Sequence, residues 1–233
     1  NDELSRRLYE AMKKGEPMEI ISGLDGSLTV KDAYDIQLMN VERALEDGEI
    51  ISGKKIGLTS KPMQELFGID EPDYGHLYKS TEVPNGGSIK IETLNKPKVE
   101  GEIAFVLKDD LKGPGVTVED VYRATDYISD NGSSVLYLMG DKRFGVDQIH
   151  IPEIEMTLYK NGEEINNGTG ADVLGNPAEA VAWLANKLQE FGVQLNKGDV
   201  ILSGAITAAP EATGGDVFEC VFSDLGSVKV TFE

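Results

Sequence analysis

The sequence predicts an α+β protein, a β-rich body with its helices set apart from the sheet rather than alternating with it. Three observations carry this. Two stretches of helical periodicity lie within the first 48 residues. From about residue 134 onward, short apolar runs separated by turn residues follow one another, with one further helical pattern among them. At 233 residues, with no internal repeat and no low-complexity tract, the chain suits one large unit. We therefore expect residues 1–48 to form an N-terminal helical cap region and residues 49–233 a β-rich domain that carries the site.

Residues 2–14 read as a polar helix with Leu, Tyr and Met at helical spacing. Thr29 caps a second helix, with Asp32 three residues on as its capping-box partner. Val30, Ala33, Tyr34, Gln37, Val41, Ala44 and Leu45 mark one face of it, and Gly48 stands where it should stop. Residues 50–59 give the first strong strand signal, and 61–67 a short helix. Pro72-Asp73-Tyr74-Gly75 and Asn85-Gly86-Gly87 read as turns. Residues 103–107 read as a buried strand. Pro114-Gly115 breaks the chain, and Thr117 opens a helix expected to reach about Tyr127. Residues 134–139 form an apolar strand, and Asn161-Gly162 is a strong hairpin signal between 155–160 and 163–166. Asn176 starts a helix with Pro177 at its first position, and Gly192 ends it. Residues 199–202, 216–222 and 227–232 close the chain as strands.

Composition narrows the function classes. A formal charge of −19 argues against non-specific nucleic-acid binding, which needs Lys and Arg for the phosphates, and against anionic membranes. No run is long and apolar enough to span a bilayer, and no signal peptide is visible, so a cytoplasmic location is expected. The one cysteine, Cys220, sits in an apolar strand and reads as a small core residue. His76 and His150 are far apart and isolated, which favours structural or surface roles.

The most chemical stretch is Glu100-Gly101-Glu102, at the mouth of the buried strand. Residues i and i+2 of a strand share a face, so the two carboxylates project side by side. Like charges so placed repel unless a cation or proton sits between them, and a hard divalent ion held by oxygen ligands would relieve this. Periodicity alone leaves a solvated strand end as the commoner reading. Lys54 and Lys55 face opposite ways, so at most one enters a site, and two surface lysines is the alternative. A lysine facing inward near a cation would have its ammonium form disfavoured and could exchange protons near neutral pH. Asp130-Asn131-Gly132-Ser133-Ser134 and Ser203-Gly204-Ala205-Ile206-Thr207 offer small polar groups and backbone N–H donors that suit a carboxylate, as do ordinary turns. Zinc spacings, P-loops and dinucleotide fingerprints are absent.

Taken in order, Lys54-Lys55-Ile56-Gly57-Leu58-Thr59-Ser60, Glu100-Gly101-Glu102-Ile103-Ala104-Phe105-Val106-Leu107, Asp130-Asn131-Gly132-Ser133-Ser134 and Leu202-Ser203-Gly204-Ala205 resemble one family. It is the 2-hydroxypenta-2,4-dienoate (2-keto-4-pentenoate) hydratase and 4-oxalocrotonate decarboxylase family of the fumarylacetoacetate hydrolase superfamily. The resemblance implies a mixed β-sheet roll, a divalent metal (Mg²⁺ or Mn²⁺) and a small 2-oxo or 2-hydroxydienoic acid as substrate. It implies Glu100 and Glu102 as metal ligands and Lys55 as the acid/base. Substrate contacts are expected from Ser133 and Thr207, and from Asn131 and Ser203 in the same two loops. Asp73 resembles the hydratase pattern, whereas the run Ile206-Thr207-Ala208-Ala209 looks closer to decarboxylases. We weight Asp73 more, because adding water needs a polar group to orient it. Hydration is thus the expected reaction, with decarboxylation as the alternative. A homo-oligomer is expected, with association between paired hydratase and decarboxylase.

The chain departs from the resemblance after Ile128. The family continues there through a longer segment with a third acidic metal ligand, whereas this chain passes directly to Ser129-Asp130. If residues are merely missing from the sequence, which is our expectation, the backbone should break between Ile128 and Asp130. An unbroken backbone leaves the metal site short of an acidic ligand, and a true deletion favours a non-catalytic keto-acid-binding or scaffold member. Hydrolysis of an acylpyruvate fits poorly, since no His–Glu pair near the N-terminal strands is at hand to activate water.

Overall fold

The structure is a computed structural model and describes residues 1–19, 23, 26–133 and 136–233, with the side chains of Phe67 and Ser133 outside that description. Helix α1 (Asp2–Lys14) and helix α2 (Val30–Glu46) pack together. The Thr29–Asp32 capping box forms in full at the head of α2. Tyr34 of α2 stacks on Tyr74 with ring centroids 4.7 Å apart, which fixes the helices to the outer face of the sheet.

Two sheets make the body. The first has six strands: β1 (Ile51–Gly57), β2 (Asp73–Tyr78), β4 (Glu100–Leu107), β5 (Thr125–Ser133), β6 (Tyr137–Met139) and β9 (Val200–Ala205), in the order β2-β1-β9-β4-β5-β6. The second holds β3 (Ser88–Ile89), β7 (Glu155–Lys160), β8 (Glu163–Thr169), β10 (Val217–Phe222) and β11 (Gly226–Phe232), in the order β3-β11-β10-β7-β8. β1 runs parallel to β9 and the neighbours of β4 run antiparallel to it, so the first sheet is mixed, as expected. Its edges meet through a bridge between Glu82 and Tyr137, whose backbones bond through Val83 N–H at 2.9 Å. The Tyr137 hydroxyl donates to Ser52 Oγ at 2.9 Å across the same seam.

The curl divides the side chains into two sets. Leu77, Ala104, Tyr137 and Leu202 form a small inner core, with Met139 and Val200 against it. The outer set, Ile56, Ile103, Phe105 and Ile128, joins the main core with the second sheet and helix α5 (Pro177–Leu188). Gly101 lies at the contact between sheets, where a Cβ would come within 2.9 Å of Met156 and 3.2 Å of Cys220. That close approach is why a glycine separates the two glutamates.

Helix α3 (Lys61–Phe67) falls where its pattern placed it. Three expectations need correction. Pro72-Asp73-Tyr74-Gly75 is not a turn: Asp73 begins β2, paired with Gly57. Helix α4 (Val118–Ala124) stops short of Tyr127 because β4 captures the following residues as β5. Consequently Asp130 to Ser133 is strand rather than loop. Ile128, Ser129 and Asp130 occupy consecutive rungs opposite Phe105, Ala104 and Ile103. Of the apolar strand expected over 134–139, residues 134 and 135 lie outside the described residues, and β6 covers Tyr137–Met139. The hairpin at Asn161-Gly162 forms with both residues at positive φ, 54° and 85°. Among the described residues, no helix is long and apolar enough to cross a membrane.

Candidate active site

The site face is the inner face of the curled sheet. Pleating puts Lys55 and Gly57 of β1 on that face, with Gly75 and Asp73 of β2 opposite them. Glu100 and Glu102 of β4 share it, as does Asn131 of β5, which lies directly across the ladder from Glu102.

Lys55 Nζ donates to Glu100 Oε2 at 3.2 Å, both side chains being about 30% exposed (30% and 28%). Burial alone would lower the Lys55 pKa, but the charges of Glu102 and Glu100, the bond from Glu100 and the charge of Asp73 together raise it. Lys55 therefore stands as an ammonium. Here the carboxylates are its counter-charges, whereas the expectation of a disfavoured ammonium concerned a lysine beside a cation.

Glu102 is fully buried, and its Oε2 accepts the Gly204 N–H at 2.7 Å. Gly204 sits at φ +113° in the irregular stretch where β9 pairs with β4, and a Cβ there would meet Thr59 Oγ1 at 2.4 Å. Only glycine brings its N–H to the carboxylate in that conformation. Asp73 is the most accessible member of the group. Protein packed around its carboxyl raises its pKa, Lys55 lowers it, Glu100 raises it further and the Gly57 N–H lowers it again. A Cβ on Gly57 would lie 2.2 Å from Asp73 Oδ1, so the glycine makes the space the carboxyl occupies.

The remaining residues divide. Asn131 is fully buried beside Glu102, its Nδ2 donating to the Leu138 carbonyl at 2.5 Å and its Oδ1 without a hydrogen-bond partner. Ser203 is fully buried and its hydroxyl donates to the Ile103 carbonyl at 2.8 Å, a bond inside the sheet. Thr207 lies past the end of β9, near Gly168 of β8, with its hydroxyl toward the Ala208 carbonyl at 3.4 Å. Ser133 ends β5 opposite Glu100 by its backbone, and its side chain lies outside the described residues.

Lys54, by contrast, is 2% exposed and pairs with Asp199 at 3.1 Å on the opposite face. Neither lysine is a surface residue. His76 lies beside Lys54 on that face and packs edge-on to Tyr74; burial first, then Lys54, lowers its pKa to about 4. His150 is exposed. Asn176 caps α5 through Ala178 N–H at 3.0 Å. The sequence pointed to the stretches holding Gly57 and Gly204, but not to the room that Gly57 leaves for Asp73 or to Glu102 as the carboxylate that the Gly204 N–H meets.

The donor set suits a hard divalent cation. Two adjacent carboxylates match its charge, and such ions commonly take one or two carboxylates with water and substrate oxygens completing the shell. Among the described residues, no group of three or more His, Cys, Asp or Glu side chains gathers around a point.

Curled mixed sheet and paired carboxylates define the fumarylacetoacetate hydrolase class of folds, and residues 124–233 match the family described as Fumarylacetoacetate (FAA) hydrolase C-terminal. The chain is 36% identical to a 2-hydroxyhexa-2,4-dienoate hydratase of Comamonas testosteroni, over 97% of this chain and 95% of that one. It is 35% identical to a 2-keto-4-pentenoate hydratase of Paraburkholderia xenovorans (strain LB400), over 100% and 94%. A solved 4-oxalocrotonate decarboxylase from Pseudomonas putida G7, complexed with magnesium and adipate, superposes with a TM-score of 0.95 at 31% identity, covering 100% of this chain and 98% of that one. The chain belongs to the 2-keto-4-pentenoate hydratase and 4-oxalocrotonate decarboxylase family of the fumarylacetoacetate hydrolase superfamily. The match to the Comamonas hydratase extends over 251 positions, more than the 233 residues here, so that relative has residues this chain lacks.

Proposed function

We propose that this protein is a divalent-metal-dependent lyase that adds water to 2-hydroxypenta-2,4-dienoate (2-keto-4-pentenoate), by way of its α,β-unsaturated ketone tautomer, to give 4-hydroxy-2-oxopentanoate. The observation that carries the reading is the Lys55 ammonium 3.2 Å from Glu100, on one face with Glu102 and Asp73. Glu100 and Glu102 would hold Mg²⁺ or Mn²⁺, which supplies Lewis-acid stabilisation for charge developing on the substrate's C2 oxygen. The magnesium in the decarboxylase structure supports a hard divalent ion.

Lys55, held toward the carboxylates, is placed to exchange a proton between the C2 oxygen and the carbon chain. Asp73, accessible and with its pKa raised, suits the water that adds at C4. The inner core of Leu77, Ala104, Tyr137 and Leu202 closes the face behind Lys55 and keeps bulk water from that side.

Decarboxylation of 4-oxalocrotonate is the second reading, favoured by the likeness to the decarboxylase structure. The same lysine and carboxylates would stabilise the dienolate left by loss of CO₂. Incubation with Mg²⁺ and 2-hydroxypentadienoate, and separately with 2-hydroxymuconate, distinguishes them when dienol absorbance and CO₂ are followed independently. Dienol loss without CO₂ supports the hydratase; CO₂ release selects the decarboxylase; neither, with metal bound, selects a non-catalytic keto-acid-binding or scaffold role.

The same proposal takes residues 1–48 as a cap on the catalytic unit 49–233, supported by the Tyr34–Tyr74 stack. It also includes a cytoplasmic location and a homo-oligomer associating with its paired enzyme. Exposed Leu66, Ile50, Val30 and Met12 supply apolar surface for assembly, and light scattering with and without the paired enzyme tests it.

A further inference from the structure

The chain leaves β1 through a strained residue. Leu58 has φ +54°, a left-handed backbone that a bulky side chain rarely adopts. Such a conformation persists where its surroundings hold it, and it gathers at functional sites. The group that holds it is Gln64. Its Nε2 donates to the Leu58 carbonyl at 2.8 Å. Its Oε1 accepts from Lys61 Nζ at 3.3 Å, which settles the end of the amide that faces Leu58. Gln64 is 2% exposed, and among the described side chains of α3 it alone is buried. A surface helix thus turns one polar side chain inward, onto the backbone just past β1.

The turn seats Thr59. That residue is 4% exposed, and its side chain fills the room beside Gly204: a Cβ on Gly204 would lie 2.4 Å from Thr59 Oγ1 and 2.6 Å from its Cγ2. Gly204 in turn gives its N–H to Glu102 Oε2 at 2.7 Å. A glycine has little conformational preference of its own, so the packing around it must hold that donor in place. We propose that Gln64 is a positioning residue for the active site: by fixing the left-handed turn at Leu58 it seats Thr59 against Gly204, and so aims the N–H that orients Glu102. The inference rests on the reading of Glu102 as a metal ligand and adds no ligand to that site. Groups that orient a ligating side chain are commonly worth about 10–100-fold in metal affinity.

Mn²⁺ alone, titrated into the purified chain well below its melting temperature and followed by the electron paramagnetic resonance signal of the free ion, reads the site without turnover. Gln64→Met keeps the volume and loses the donor, and its Mn²⁺ dissociation constant rises about tenfold. Thr59→Ala removes the atoms beside Gly204 and weakens binding to a similar extent. Because the two residues act in series, the double variant binds no more weakly than the worse single one, whereas independent effects would multiply to about a hundredfold. If Gln64 merely anchored α3, Gln64→Met would melt earlier yet bind Mn²⁺ like the parent, and that result overturns the proposal. Multiplying effects in the double variant overturn it as well. Where Gln64→Met fails to melt cooperatively, Gln64→Glu decides: it keeps the shape and the Lys61 partner but, ionised, opposes the Leu58 carbonyl, so weakened binding supports the positioning role and parent-like binding refutes it. A parent protein that binds no Mn²⁺ overturns the assignment of Glu102 and this inference with it; a parent that binds, matched by Gln64→Met, overturns this inference alone.

Discussion

Lys54 and Lys55 are chain neighbours that the pleat sends to opposite faces, each to meet carboxylates in a different setting. The alternation was legible in the sequence; which of the two entered the site was not, because both strand faces turn out to be covered. Their substitutions should separate cleanly. Lys55→Ala should lower kcat by about 10²–10⁴-fold, the usual worth of a positioned acid or base, with a smaller change in KM, as steady-state kinetics would read it. Asp199→Asn should leave that kcat nearly intact while stranding the buried Lys54 charge. Breaking one side of such a pair costs about 3–5 kcal/mol, a fall in Tm of about 6–20 °C by calorimetry in a chain of this size. Glu102→Gln should abolish metal-dependent turnover, and calorimetric titration with Mg²⁺ should show the binding heat lost while the fold persists.

At the level of elements, the strands that carry the site are held in register by glycines. Gly57 leaves the room that Asp73 fills, and Gly101 lets the second sheet press against β4. Gly57→Ala would set a Cβ 2.2 Å from Asp73 Oδ1, and the carboxyl, being the movable end, would be the group displaced. We expect Gly57→Ala to reduce turnover as Asp73→Ala does, with Mn²⁺ affinity unchanged in both; a parent-like rate in Gly57→Ala would separate Asp73 from the chemistry. Capping signals at Thr29, Thr117 and Asn176 were readable because the interactions are local. β5 was not. Thr125 to Ser133 has no strand alternation of its own and is strand because β4 and β6 pair with it on both sides.

For the molecule as a whole, one buried and one partly buried titratable group set opposing pH slopes on stability. Burial, slightly offset by backbone and Ser129 hydrogen bonds, raises the Asp130 carboxyl to about 6. Its ionised form is disfavoured in the folded state, so stability is lost as pH rises from about 4, its unfolded value, through about 6. His76, lowered to about 4, works the other way, and stability is lost as pH falls from about 6.5 through about 4. Asp130→Asn should therefore be more stable than the parent at pH 7, by on the order of 2 kcal/mol, with the difference vanishing near pH 3. Denaturant melts across that range check it, and a difference independent of pH would remove Asp130 as the source.

By itself the sequence determined the α+β class, the helix caps, the hairpin at Asn161-Gly162, the pairing of Glu100 with Glu102 and the separation of Lys54 from Lys55. These follow from local rules: side-chain period, turn conformation and the few backbone donors a cap satisfies. Only the tertiary structure decided that Lys55 meets Glu100, that Ser203 is committed to the Ile103 carbonyl, and that Asn131 stands beside Glu102 with an unmet oxygen. Those relations join residues some 30 to 100 positions apart. They depend on which strands become neighbours as the sheet curls, and no local pattern in the chain encodes that choice.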